Sequence, residues 1–99
     1  MIVISAVFKV QEGKRDRAID VMQEMANATL KEQGCNDYTF YADLKDPLRF
    51  FLFEEWDDQA SLDAHFKTEH MAIFRKHLPD LTAHQTQVTR YVVSESGPL

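Results

Sequence analysis

The chain has 99 residues, 44% apolar and 11% aromatic, which is enough for one small hydrophobic core and too much for a disordered segment. Eleven Lys and Arg against sixteen Asp and Glu leave a net charge of −5, and a phosphate backbone calls for clustered positive charge, so nucleic acid is not an expected partner. Cys35 is the single cysteine, which excludes an internal disulfide framework and a cysteine-rich zinc site and suits a reducing, cytoplasmic setting.

The opening Met1–Phe8 run has no basic flank and is far shorter than the roughly 20 residues of a membrane span, so neither export nor a membrane partner is expected. From Ile2 to Val10 the residues are β-branched and apolar, with the polar Ser5 and Lys9 both at odd positions, which predicts a first strand. Gln11-Glu12-Gly13-Lys14 interrupts it. Ala18, Ile19, Met22, Met25, Ala26, Thr29 and Leu30 then recur at three- and four-residue spacing, one stripe of a helix running from about Lys14 to Glu32 and stopping at Gly34. Tyr38, Phe40, Ala42 and Leu44 alternate with polar neighbours, Lys45-Asp46-Pro47-Leu48 has turn chemistry, and Arg49 to Trp56 returns as an aromatic run; this is a β-hairpin. Asp57 or Asp58 caps a short helix through Phe66, and Thr68 caps another from Glu69 to His77, so the second helical region is expected to break in two, with Pro79 ending it. Thr82 to Val93 reads as a last strand before a polar tail, residues 94–99.

The order β-α-β-β-α-β is the ferredoxin-like α+β arrangement, one domain over residues 1–99 with both helical regions on one face of a four-stranded antiparallel sheet. Val3 and Val7 alternate with Ile4, Ala6 and Phe8, and Phe51 and Phe53 with Leu52 and Trp56, so the uncovered face is also too apolar for water. A homodimer through that open face is the expectation, with the tail flexible or exchanged between copies. Three glycines form no phosphate loop, which removes the usual support for a nucleotide cofactor.

The chemistry concentrates in Phe51-Leu52-Phe53-Glu54-Glu55-Trp56-Asp57 and the His65 and His70 that follow. Two-residue periodicity puts Glu54 and Trp56 on the face of strand three that carries Leu52, where a carboxylate is partly buried and can orient a histidine as a base. The plainer role for Glu54 is to pair with the neighbouring helix backbone. His65 and His70 are five apart across a helix break and so do not share the face of a metalloprotease-type site. Two histidines and a carboxylate make an iron triad in principle, but no Asp or Glu stands in a recognised spacing, so no metal is expected. His77 and His84 are weaker candidates. Tyr38, Phe40, Phe53, Trp56, Phe66, Met71 and Phe74 are core by type, and any of them that line a gap between sheet and helices would suit a planar ligand. Cys35, beside the helix-ending Gly34, has no neighbour that would activate it.

Taken together, the opening strand, a long first helix ending in Glu32-Gln33-Gly34-Cys35, Tyr38, and the block Phe53-Glu54-Glu55-Trp56 with Ala60, His65, Thr68 and His70 resemble the antibiotic biosynthesis monooxygenase domains of the dimeric α+β barrel superfamily. The resemblance spans nearly the whole chain. It implies a small dimer whose pocket lies between sheet and helices, and an oxygenation of quinols or polycyclic phenols by dioxygen with no metal or flavin. It implies His65 or His70 as base, Glu54 as its orienter, and Trp56 and Tyr38 as pocket positions; by residue type Phe53, Phe66, Phe74 and Arg49 join them as substrate-binding candidates. Haem-degrading relatives use an asparagine in strand one, a tryptophan in the second helix and a haem-ligating histidine; Ser5 or Ala6, His65 and Arg75 stand there, so haem is not expected. The runs Arg49–Glu54 and His65–His70 also resemble phospho-autoinducer isomerases. An isomerase of a small phosphorylated ketone, with Arg49, Lys67 or Arg75 meeting the phosphate, is therefore an alternative, as is a non-catalytic ligand-binding stress protein.

Overall fold

The computed structural model describes residues 1–99. Its elements in chain order are β1 (Ile2–Lys9), α1 (Arg15–Thr29), β2 (Cys35–Ala42), β3 (Arg49–Trp56), α2 (Gln59–His65), α3 (Glu69–Leu81) and β4 (Gln87–Val92). The four strands form one antiparallel sheet in the order β2-β3-β1-β4, which is the ferredoxin-like α+β fold. No helix is long and apolar enough to cross a membrane.

Alternation decides which side chains face the helices. Ile2, Ile4, Ala6 and Phe8 of β1 and Phe50, Leu52, Glu54 and Trp56 of β3 are all buried, and direct pairing of Ile4 with Glu54 and of Ala6 with Leu52 keeps them on one side of the sheet. Ala18, Val21, Met22 and Met25 of α1 and Phe74 and Leu81 of α3 close over that side. The other side presents Val3, Val7, Phe51 and Phe53, each only partly covered, with Tyr41 and Tyr91 half exposed.

Three boundaries differ from the sequence expectation. Helix α1 stops at Thr29 rather than Glu32, because the chain turns through Glu32 to reach Gly34, whose φ of +85° is the left-handed conformation that ends helices. Pro79 does not end α3, which runs on to Leu81. A proline forfeits only its own N–H bond, here the one to the Arg75 carbonyl, and near the end of a helix the loss of one bond is tolerated. The last residues of the helix are closed separately: Thr82 N donates to Leu78 O at 2.9 Å, Gln11 N to Leu81 O at 2.7 Å and Gln11 Nε2 to Thr82 O at 3.0 Å. The last strand begins at Gln87, not Thr82: Thr82 makes an isolated bridge to Val10, and the next residues cross to the sheet edge.

The expected break between α2 and α3 is present. Asp58 accepts from Ser61 N at 2.8 Å to cap α2, and Thr68 accepts from Met71 N at 3.3 Å to cap α3. Thr68 Oγ1 also donates to His65 O at 2.8 Å, so the corner is tied from both sides, with His65 at the end of one helix and His70 in the first turn of the next.

Candidate active site

Between the sheet and α2–α3 lies a cavity of about 180 Å³. Its walls are mostly apolar, with Ile4, Leu52, Phe40, Met71 and Phe74 among them; Tyr38, Glu54 and His65 are its titratable side chains. Glu54 comes from β3 and is 7% exposed. Trp56 Nε1 donates to Glu54 Oε1 at 3.0 Å, a bond between two inward residues of one strand. Burial pushes the Glu54 carboxyl up to about 7, against the lowering effect of the Trp56 bond, and the charge of Glu32 adds to the rise. Glu54 therefore holds or releases a proton near neutrality, as a group in acid–base work must. Tyr38, paired with Glu54 across β2 and β3, is held protonated by burial and by the same carboxyl.

His65 is 1% exposed and packs with its ring 4.8 Å from that of Trp56, centroid to centroid. Its orienting partner is not Glu54 but Glu32, in the turn after α1. His65 Nδ1 and His70 Nε2 each lie 2.7 Å from the same oxygen, Glu32 Oε2. A carboxylate has only acceptors, so this network assigns the ring hydrogen of His65 to Nδ1 and that of His70 to Nε2. Nε2 of His65, the imidazole that lines the cavity, is left without a protein partner and free to accept a proton. Burial lowers the pKa of His65, and the hydrogen bond and charge of Glu32 offset part of that, so the ring is neutral and competent as a base. The sequence reading missed Glu32. It lies 33 residues before His65 in a turn, where no periodicity could connect the two.

The expected site residues separate into two groups. Glu54, Trp56, Tyr38, His65, Phe66 and Phe74 are brought together: five of them line the cavity and Trp56 touches two of the five from behind. His70 is 27% exposed and lies outside the cavity lining; it meets the cluster through Glu32 and through its ring, whose centroid is 6.0 Å from that of His65. Phe53 lies on the opposite face of the sheet, because the alternation that turns Glu54 and Trp56 inward turns it outward. Arg49 is at the far end of β3, paired with Asp43 at 2.8 Å and outside the cavity lining. Of the other isomerase cations, Arg75 sits over the exposed Phe66 ring; no lysine or arginine lines the cavity. Cys35 is half-buried, and burial with the charges of Glu32 and Glu54 pushes its thiol up to about 11, which makes it a poor nucleophile. A larger hollow of about 400 Å³ runs between α1 and the edge strand β2, but Arg15 is its only charged group and it holds no carboxylate–imidazole pair.

A ferredoxin-like domain with a small apolar cavity and acid–base groups at its wall defines the class of protein. Residues 1–77 match the antibiotic biosynthesis monooxygenase family, and the chain belongs to that family; at the family level its class of activity is monooxygenase. Among relatives, the uncharacterized protein sll1783 of Synechocystis is 33% identical over 99% of this chain and 67% of its own length. YgiN of Escherichia coli, which carries the name probable quinol monooxygenase, is 26% identical over 75% of this chain and 81% of its own. In fold, a Deinococcus radiodurans crystal structure matches with a TM-score of 0.93 at 21% identity, covering 100% of this chain and 98% of that one.

Proposed function

We propose that the protein is a monooxygenase that inserts one oxygen atom of dioxygen into a one-ring quinol or related hydroxyaromatic, without flavin or metal, and that it works as a homodimer stacked through its open sheet face. The observation that carries this reading is the pairing of an unpartnered imidazole nitrogen with a carboxyl near neutrality at the wall of an apolar cavity. The cavity size narrows the substrate. A dry cavity of about 150 Å³ accommodates benzene, so about 180 Å³ suits one substituted ring and is too small for three fused ones. The name borne by YgiN is consistent with a quinol.

The steps balance without a cofactor. His65 Nε2 takes the proton of one quinol hydroxyl, and the electron-rich quinolate passes one electron to dioxygen. The radical pair joins through a new ring C–O bond, and His65 returns its proton to the peroxide. Loss of the ring C–H proton then breaks the O–O bond and releases water, leaving a hydroxyquinone: quinol and dioxygen become hydroxyquinone and water. Glu54, protonated or ionised near pH 7, is placed to donate to the departing hydroxide or to accept the ring proton. The apolar wall keeps water from the radical and peroxide stages. The isomerase alternative lacks a cation at the cavity, and no observation favours it.

The test is oxygen uptake by chelator-treated protein with one-ring quinols and labelled dioxygen. The expected result is one labelled oxygen in the product and a loss of about 100-fold or more in kcat for His65→Gln, the range general-base removal covers. Undiminished turnover in that variant, folded by circular dichroism, would remove His65 from the mechanism; no uptake with any quinol would remove the reading.

A further inference from the structure

The cluster behind the cavity has a composition that hydrogen bonding alone does not require. Glu32 Oε2, His65 Nδ1 and His70 Nε2 all lie within 4.8 Å of one another. They come from three separate segments: the turn between α1 and β2, the last residue of α2 and the first turn of α3. Two imidazole nitrogens and one carboxylate oxygen are the protein ligands of open zinc sites and of non-haem iron triads, in which the remaining positions stay free for water. Two of the three ligands are held in place before any ion arrives. His65 is wedged against Trp56 and tied at its carbonyl by Thr68, and His70 follows the Thr68 cap.

Glu32 is the adjustable member, since its Oε1 makes no protein hydrogen bond, so the carboxylate can rotate. A tetrahedral ion with bonds of about 2.0–2.1 Å needs neighbouring ligand atoms roughly 3.3 Å apart. The two contacts of 2.7 Å therefore have to open by roughly 0.6 Å each, and the two imidazole nitrogens, which lie within 4.8 Å of each other, have to close toward that spacing, by rotation of the Glu32 carboxylate and of the partly exposed His70 side chain. Access exists as well. His70 lines a cleft of about 100 Å³ between α1 and α3, together with Glu24 and His77, so one of the three ligands is reached from a side other than the substrate cavity.

We propose that Glu32, His65 and His70 form a site for a divalent transition-metal ion of the zinc type, and that its occupancy withdraws the base from the cavity. The second half follows from imidazole chemistry and rests on the monooxygenase reading. A neutral ring that gives its Nδ1 lone pair to an ion must carry its hydrogen on Nε2. The neutral His65 ring moves its hydrogen from one nitrogen to the other rather than losing it. For His65 the consequence is that the acceptor facing the substrate becomes a donor. The ion sits on the Nδ1 side, behind the ring, where it organises His65 without reaching the substrate.

The experiment is a calorimetric titration of the chelator-treated full chain with Zn²⁺, accompanied by NMR of the imidazole nitrogens. One ion per chain is expected, with Glu32→Gln and His70→Gln each weakening binding by at least about tenfold, and His77→Gln, in the same cleft but outside the ligand set, leaving it unchanged. His70→Gln, at the more exposed ligand, keeps the test valid if the Glu32 variant fails to fold. On zinc addition the His65 hydrogen is expected to move from Nδ1 to Nε2, and oxygen uptake to fall and return with chelator. Absence of stoichiometric binding, or binding indifferent to both ligand variants, would leave a hydrogen-bonded cluster only and overturn the site. Bound zinc with an unmoved His65 hydrogen would overturn the withdrawal of the base. Calorimetry and NMR read out whether or not any quinol turns over, so failure here is distinct from failure of the proposed activity.

Discussion

Glu54 and His65 face one cavity and respond to pH in opposite senses. Burial raises the Glu54 pKa from 4.5 to about 7, so between those values the folded protein holds a proton that the unfolded chain has lost, and stability falls as pH rises. The difference corresponds to roughly 3 kcal/mol, fully present below pH 4.5 and gone above pH 7. For His65 the shift is downward: the unfolded chain binds the extra proton first, and stability grows as pH rises toward the unfolded value. Glu54→Gln keeps an oxygen that can accept from Trp56 and removes the ionisation. It should be more stable than the wild type at pH 8 by about 1–3 kcal/mol in urea unfolding, with the decline between pH 5 and pH 7 abolished. An unchanged decline would mean that Glu54 is not the titrating group. At this scale the sequence was partly readable. Parity alone turned Glu54 and Trp56 inward, and the same parity sends Phe53 outward despite its aromatic ring. Glu32 was invisible because its partners are reached through a turn, and turns carry no period.

The elements matter because each histidine sits at a helix end. A break at residues 66–68 places His65 and His70 on two helices that converge on one carboxylate; a single unbroken helix would put residues five apart on different faces. Gly34 controls the third member. Its φ is +85° and a Cβ there would collide with the Ser61 side chain in the first turn of α2, while its carbonyl accepts from Asp57 N at 2.9 Å. Gly34→Ala should therefore cost more than the roughly 1–2 kcal/mol of a left-handed residue alone, and the lost stability should come with loss of the His65–Glu32 contact, seen as a changed imidazole spectrum. A variant as stable as the wild type would show that the turn relaxes freely. Helix starts were legible from Asp58 and Thr68, whose side chains cap, but the end of α3 was not, because the bonds that close its last residues come from the distant Gln11. The start of β4 was likewise hidden: Thr82 is β-favouring by type and yet spends its pairing on Val10.

On the scale of the whole molecule, the sheet has two apolar sides and the helices cover only one. Val3, Val7, Phe51 and Phe53, flanked by Tyr41 and Tyr91, form the other side, and an apolar face of this kind is rarely left to water. Charge at its centre, as in Phe53→Glu, should convert the proposed dimer to monomers in sedimentation equilibrium; a wild-type chain that sediments as a monomer would refute the stacking. The expectation was available from alternation alone, since two-sided apolar strands require two covers. Tyr38 and Phe40 line both the 180 Å³ cavity and the 400 Å³ hollow beside β2, so these rings are a partition between two rooms. Trimming the Phe40 ring would join them. Under the proposed activity, the width of substrate admitted is then governed by a residue with no part in proton transfer, and trimming Phe40 is expected to admit fused-ring phenols to the same imidazole and carboxyl.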